Sequence, residues 1–353
     1  MAAERSRIDA LKAAARERIV VLDGPKGTEI QRRGLTEADF RGELFAGHNQ
    51  DLKGNNDILN LTRPDVIGAI HREYAEAGAE IISTNSFNAN AISQGEYGLA
   101  DQSYAINKAA ASIARKVADE FSVGDQLRWV AGAIGPTNAT LSISPDVNRP
   151  EFRATDFDSM VAVYTETARG LVDGGADYLL IETVFDTLNA KAAIAAVRDL
   201  EAETGTSIPM SLSMTVVDRS GRNLSGQTVE AFYASIRHAD PLSVGLNCSL
   251  GAEQMRTYAA ALARVSDTLV HAYPNAGLPN DLGQYDEPPE TTSALLREWA
   301  ENGLLNIVGG CCGTTPAHTR LIVQAVKDVP PRAIPVSNPA MRLSGLEPFA
   351  LAG

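Results

Sequence analysis

Leu171–Glu182 reads LVDGGADYLLIE: the end of an amphipathic segment, two glycines, then a short apolar run that closes on an acid. The same phrase returns as AEAGAEIIS at 75–83 and as WAENGLLNIVGG at 299–310. A glycine that stops a helix, followed within a few residues by a strand buried on both faces, is the punctuation of a repeating βα unit. Working outward from these phrases gives eight short apolar runs: Ile19–Leu22, Glu80–Thr84, Trp129–Ile134, Tyr178–Glu182, Met210–Met214, Ser243–Cys248, Leu269–Tyr273 and Leu305–Gly310. Amphipathic segments lie between them at Pro64–Ala77, Asp156–Asp173, Asp186–Leu200, Ala252–Val265, Thr291–Glu301 and Thr315–Val326. Eight strands alternating with helices over roughly 300 residues predict an α/β fold of the (β/α)8 barrel type. Two Rossmann-like halves are the rival, and they require a mid-chain break in composition that this sequence lacks.

The barrel is expected over 19–329, after a helical extension at 1–18 and before a proline-rich, aperiodic tail at 330–353. The chain has 353 residues, 44% hydrophobic and 21% charged, which is globular rather than disordered composition. No stretch approaches the roughly 20 apolar residues of a membrane helix, and the first residues carry charges where a secretory signal has an apolar region. The net charge of −13, without a basic run, argues against nucleic-acid backbones and anionic membranes as partners. The three cysteines are an odd number, which speaks against a disulfide framework and for a reducing compartment. A cytoplasmic small-molecule enzyme is the expected class.

In such a barrel the strand C-termini and the loops after them converge on one face. All three cysteines fall there: Cys248 ends the sixth run, and Cys311 and Cys312 end the eighth. Three thiolates form a soft donor set suited to zinc, with a fourth tetrahedral position left open. Inert buried thiols and a redox-active vicinal pair are readings the spacing leaves open. Gly309, Gly310 and Gly313 permit the tight turn that would aim both neighbouring sulfurs at one ion.

The first run ends in Asp23-Gly24-Pro25-Lys26-Gly27-Thr28, which reads either as an anion nest or as an ordinary tight turn. It is neither a P-loop nor a dinucleotide fingerprint. Glu182 ends the fourth run, as a helix-capping acid or as a functional group level with Asp23. Two acids beside an anion nest suit the ammonium and carboxylate of an amino acid. Asn85 and Asn275 stand at the same height, as ligands or as loop hydrogen-bonders. Of the histidines, His71 lies in a helix, His48 in a long loop and His318 in the first turn of the last helix. Neither HExxH nor GxSxG is present.

DGPKGTEIQRRG (23–34), GNNDILNLTRPDVI (54–67), AGAEIISTNSFNAN (77–90), GAIGPTN (132–138), GADYLLIETVFDTLNAKAA (175–193), GLNCSLG (245–251), YPNAGLPN (273–280) and VGGCCGTTPAHT (308–319) occur in this order. Together they resemble the homocysteine-binding module of cobalamin-dependent methionine synthase, within the zinc-dependent homocysteine S-methyltransferase family. LTRPD (61–65) and TVVDRSGRNLSGQT (215–228) point to the methionine synthase branch. The resemblance implies Zn2+ held by Cys248, Cys311 and Cys312, the substrate sulfur taking the fourth position and Asn275 filling it at rest. It further implies that Asp23 and Glu182 receive the homocysteine amino group, with Asn85 beside them, while Gly24, Gly27 and Thr28 meet the carboxylate.

One departure is Pro25-Lys26, where the family has small or apolar residues. Lys26 is expected either to reinforce carboxylate binding or to point to solvent. The closing RLSGLEPFALAG resembles the connector to a folate module, and no corrinoid-binding segment is present. The chain is thus expected to be a split subunit or a fragment that draws methylcobalamin from a separate cobalamin- and folate-binding polypeptide. The implied reaction is methyl transfer to homocysteine, giving methionine. A stand-alone enzyme using betaine or S-methylmethionine is the alternative.

Overall fold

The computed structural model describes residues 2–124, 126–217, 220–336 and 340–351, with side chains from residue 7 onward. Asp218 and Arg219 of the TVVDRSGRNLSGQT stretch, and 337–339 and 352–353 of the tail, lie outside the described residues. Eight strands are β1 (Val20–Val21), β2 (Ile81–Ser83), β3 (Trp129–Ile134), β4 (Tyr178–Val184), β5 (Met210–Met214), β6 (Ser243–Gly251), β7 (Leu269–Asn275) and β8 (Ile307–Val308). They pair in parallel in the order β1-β8-β7-β6-β5-β4-β3-β2. A parallel bridge between Leu22 and Ile81 joins the two ends, with Asp23 N–H donating to Ile81 O at 2.9 Å and Glu80 N–H to Val21 O at 2.8 Å. The sheet is therefore closed into the predicted barrel.

The helices are α1 (Ala2–Glu17), α2 (Lys26–Arg32), α3 (Glu37–Arg41), α4 (Leu59–Thr62), α5 (Pro64–Glu76), α6 (Ala91–Gly95), α7 (Ser103–Glu120), α8 (Phe157–Asp173), α9 (Thr187–Thr204), α10 (Val229–Ile236), α11 (Ala252–Val265), α12 (Pro289–Glu301) and α13 (Pro316–Val326). Their starts follow local chemistry. Pro64 opens α5, where a missing N–H costs nothing, and the Asp156 carboxylate caps α8 by accepting from Ser159 N–H at 2.8 Å. Helices α7 and α10 lie outside the amphipathic segments marked in the sequence. The buried stripe of α7 is largely alanine (Ala110, Ala111, Ala114, Ala118), and α10 is short and buried at nearly every position. Small residues suit α7 because α8 lies very close: a Cβ on Gly170 would come within 2.7 Å of Tyr104 O.

The core has two layers, set by the two-residue period of the strands. Val21, Ile82, Val130, Leu179, Leu212, Val244, Ala272 and Val308 face the helices. Val20, Ile81, Trp129, Ala131, Tyr178, Leu180, Leu269, Tyr273 and Ile307 fill the barrel, joined by Ile8, Leu11 and Ala15 of α1. Helix α1 is fastened at the N-terminal end of the strands through buried Asp177, which pairs with Arg7 and Arg115, both at 2.8 Å, and accepts from Val130 N–H at 2.7 Å. Removing that carboxylate takes from Arg7 its ion-pair partner, leaves Arg115 with Asp119 alone and orphans the Val130 N–H. Asp177→Ala is expected to lower stability by about 2–4 kcal/mol, read as a shifted urea midpoint with an unchanged m-value.

The tail differs from its expected aperiodic form. Its described residues include a hairpin of β9 (Arg342–Ser344) and β10 (Pro348–Ala350). The hairpin is held on α10 by Ser344 Oγ donating to Ala231 O at 2.6 Å, and Gln227 Nε2 donates to Gly345 O at 2.8 Å. Among the described residues no helix is long and apolar enough to cross a membrane.

Candidate active site

The C-terminal ends of the strands ring a cavity of about 930 Å3, lined by Asp23, Lys26, Glu182, Cys248, Tyr273, Cys311 and Cys312 among others. The three sulfurs, separated widely in sequence, lie within 4.8 Å of one another, and Cys248 Sγ stands 3.8 Å from Cys312 Sγ. All are free thiols. Zinc–sulfur bonds of about 2.3 Å in a tetrahedron place sulfurs about 3.8 Å apart, so the spacing fits a zinc thiolate site. Protonation points the same way. Hydrogen bonds from Cys248 and Cys311 hold the Cys312 thiol far below its ordinary value, while the bonds Cys311 shares with Cys248 and Cys312, and its burial, push it well above. Three sulfurs this close raise the cost of ionising one another, a cost that a cation between them would offset.

The backbone that presents these sulfurs is unusual. Thr183, Cys248 and Ser249 have φ of 57°, 62° and 59°, a region that side chains disfavour. Both β4 and β6 lose register where this occurs. A reciprocal clasp holds the two distortions together across the barrel: Thr183 N–H donates to Asn247 Oδ1 at 3.0 Å, and Asn247 Nδ2 donates to Thr183 Oγ1 at 2.7 Å. Glu182 and Cys248, the neighbours of the clasped pair, are thereby fixed relative to each other.

Glu182 Oε2 accepts from the Tyr273 hydroxyl at 3.0 Å, and burial pushes the Glu182 carboxyl up to about 7. Asn275, at the end of β7, is fully buried. Its Nδ2 donates to the Tyr285 hydroxyl at 3.4 Å, while its Oδ1 has no partner among the described residues. Tyr285 lines the same cavity as Cys312, and Ala276 N–H donates to Cys312 O at 2.9 Å, so the orphaned oxygen belongs to the thiol neighbourhood. A buried, unpartnered carbonyl oxygen there suits a fourth ligand to a cation.

The first loop departs from both expectations for Lys26. Its side chain is 5% exposed, and its ammonium donates to Asp23 Oδ2 at 2.5 Å, Ser83 Oγ at 2.6 Å and Gly24 O at 3.1 Å. It points neither to solvent nor to an open anion site, because the carboxylate three residues earlier satisfies it inside the chain. Gly24 is required for close packing whatever the loop binds: a Cβ there would sit 2.6 Å from the Tyr74 ring. Thr28 Oγ1 accepts from Gly313 N–H at 3.1 Å, tying this loop to the paired cysteines. Asn85 lines the cavity with its Nδ2 committed to Asn56 O at 2.8 Å.

The homocysteine S-methyltransferase family profile matches residues 20–326. The chain belongs to the homocysteine S-methyltransferase family. Among solved structures it is similar to the homocysteine methyltransferase MmuM from Escherichia coli. The oxidized form superposes with a TM-score of 0.66 at 22% identity, covering 87% of this chain and 95% of that one. The metallated form gives 0.66 at 23% identity, covering 87% and 96%. These likenesses establish a shared fold.

Reading the sequence of this methyltransferase misses Ser83, Tyr273, Asn247 and Tyr285 as parts of the site. Each carries a signal only in hindsight: a polar residue at or just past the end of a strand, or in a long βα loop, where the barrel collects its chemistry.

Proposed function

We propose that the chain transfers a methyl group to the thiol of homocysteine, giving methionine, with Zn2+ held by Cys248, Cys311 and Cys312. The observation that carries this reading is the trio of sulfurs at zinc spacing on the wall of the cavity. Asn275 Oδ1 is the resting fourth ligand, matched by its burial without a partner. A zinc ion at this position supplies one thing, stabilisation of the substrate sulfur as a thiolate at neutral pH, where a free thiol with a pKa of about 8.5 is mostly protonated.

The chain's own residues do the rest. The Asn247–Thr183 clasp orients Cys248 toward the vicinal pair and holds Glu182 beside the cavity. Glu182, steadied by the Tyr273 hydroxyl, receives the amino group. The loop from Gly24 through Gly27 to Thr28 stands beside the cysteines, where the substrate carboxylate is placed. Tyr285, which accepts from Asn275 Nδ2, lines the cavity beside the sulfurs.

The donor assigned here is methylcobalamin on a separate cobalamin- and folate-binding polypeptide, approaching the open mouth of the barrel in the cytoplasm. Residues 19–329 form the catalytic unit. The test is methyl transfer by the isolated chain, with and without zinc. Turnover with methylcobalamin that requires zinc is expected. Turnover with betaine or S-methylmethionine and none with methylcobalamin moves the assignment to the small-donor branch.

A further inference from the structure

The ammonium bound by Asp23 is the chain's own. Asp23 is 1% exposed and accepts from Lys26 Nζ at 2.5 Å, Ser83 Oγ at 2.8 Å and Ser83 N–H at 3.2 Å. The three protons of the Lys26 ammonium are spent in turn on Asp23, Ser83 and Gly24. The ring of bonds is closed, and it presents the cavity with a charge-compensated pair. A substrate ammonium entering here would have to expel Lys26 from a buried carboxylate, leaving a second ammonium buried without a partner, which is the costly way to break an ion pair. Glu182, on the same cavity, is differently placed. It accepts from a neutral hydroxyl, that of Tyr273, and among the described residues no lysine or arginine forms an ion pair with it.

We propose that Lys26 is a specificity-determining residue: a built-in cation that withdraws Asp23 from substrate recognition and leaves the substrate amino group to be read by Glu182 alone. The inference rests on the reading that a thiol amino acid binds at the cysteine trio. It replaces the sharing of the amino group between Asp23 and Glu182 with a one-acid site. Lys26 acts through Asp23, so it is a positioning residue rather than a catalytic one.

The experiment compares two thiols that differ only in the amino group, homocysteine and 4-mercaptobutyrate, by calorimetric titration of the zinc-loaded full chain. The quantity read is the ratio of their affinities. Lys26→Met frees Asp23 and is expected to raise the preference for homocysteine at least about tenfold, the value of one charge-assisted hydrogen bond. Lys26→Arg, which keeps the charge, and the double variant Lys26→Met/Asp23→Asn, which removes both charges, are expected to stay within about threefold of wild type. Glu182→Gln is expected to bring the two thiols to near-equal affinity.

A merely structural role for Lys26 weakens both thiols together and leaves the ratio fixed; so does a role in binding the carboxylate they share. An unchanged or lowered ratio in Lys26→Met therefore overturns the proposal. If Lys26→Met does not fold, the charge-free double variant decides: a preference for homocysteine reduced tenfold or more shows Asp23 to be a receptor for the amino group. Failure of both thiols to bind wild type overturns the thiol-binding reading itself, whereas binding with the wrong ratio pattern overturns this inference alone.

Discussion

Cys311→Ser is expected to yield a folded protein without stoichiometric zinc and with homocysteine methylation reduced at least a hundredfold. The fold should survive because the bonds at this position are made by the backbone: Cys311 N–H donates to Pro274 O at 2.8 Å, and Cys311 O accepts from Thr314 N–H at 3.0 Å and Thr314 Oγ1 at 2.8 Å. A serine hydroxyl makes none of the thiolate bonds, since it stays protonated at neutral pH, and two sulfurs remain where three converge. Substituting groups that merely hold metal ligands in place costs about 10–100-fold in affinity or activity, so loss of a ligand sets about a hundredfold as a lower bound. Metal-to-protein ratio, circular dichroism and turnover measured together decide the matter. Full zinc and full turnover in the variant would discard the metal assignment.

Gly313→Ala should be nearly as damaging, although it changes no ligand. Gly313 has φ of +80°, and a Cβ there would lie 2.2 Å from Tyr285 Cβ and 3.2 Å from Ala276 Cβ. The left-handed backbone alone costs an alanine about 1–2 kcal/mol, and the overlap with Tyr285 cannot be relieved by rotating a side-chain tip, because Cβ is fixed to the main chain. The loop must therefore shift, and what it carries is Cys312 on one side and the Thr28 contact on the other. The expected result is a drop in thermal stability together with zinc affinity weakened at least about tenfold, read by competition with a chelator. Wild-type zinc affinity in the variant would show that the turn tolerates a side chain and that Tyr285 is mobile.

Much of the architecture is legible because its signals are local. β3, β5 and α11 begin and end at the residues the apolar pattern marks, and each of the other strands overlaps its apolar run. Strands β6 and β7 continue past their runs, through Ser249–Gly251 and Pro274–Asn275, and Gly251 pairs with Asn275 after the break in register. α7 and α10 are illegible for opposite reasons, one built on alanine against a close neighbour and the other buried all round. The hairpin in the tail is likewise made by contacts with α10 rather than by its own pattern.

The site divides in the same way. That three cysteines and two acids end strands of a barrel follows from position along the chain, because the C-terminal mouth collects every strand end regardless of which residues later touch. The partners of those groups are another matter. Lys26 reads as a free charge in a glycine loop, yet three contacts, one from as far as Ser83, turn it inward and neutralise Asp23. The amide of Asn247 meets Thr183 across two strands, and Tyr273 supports Glu182 from the opposite wall. Periodicity reports which face a side chain is on, a property of a few neighbouring residues. Which group it bonds depends on barrel closure and on the packing of distant segments, and those are decided only when the whole sheet has formed.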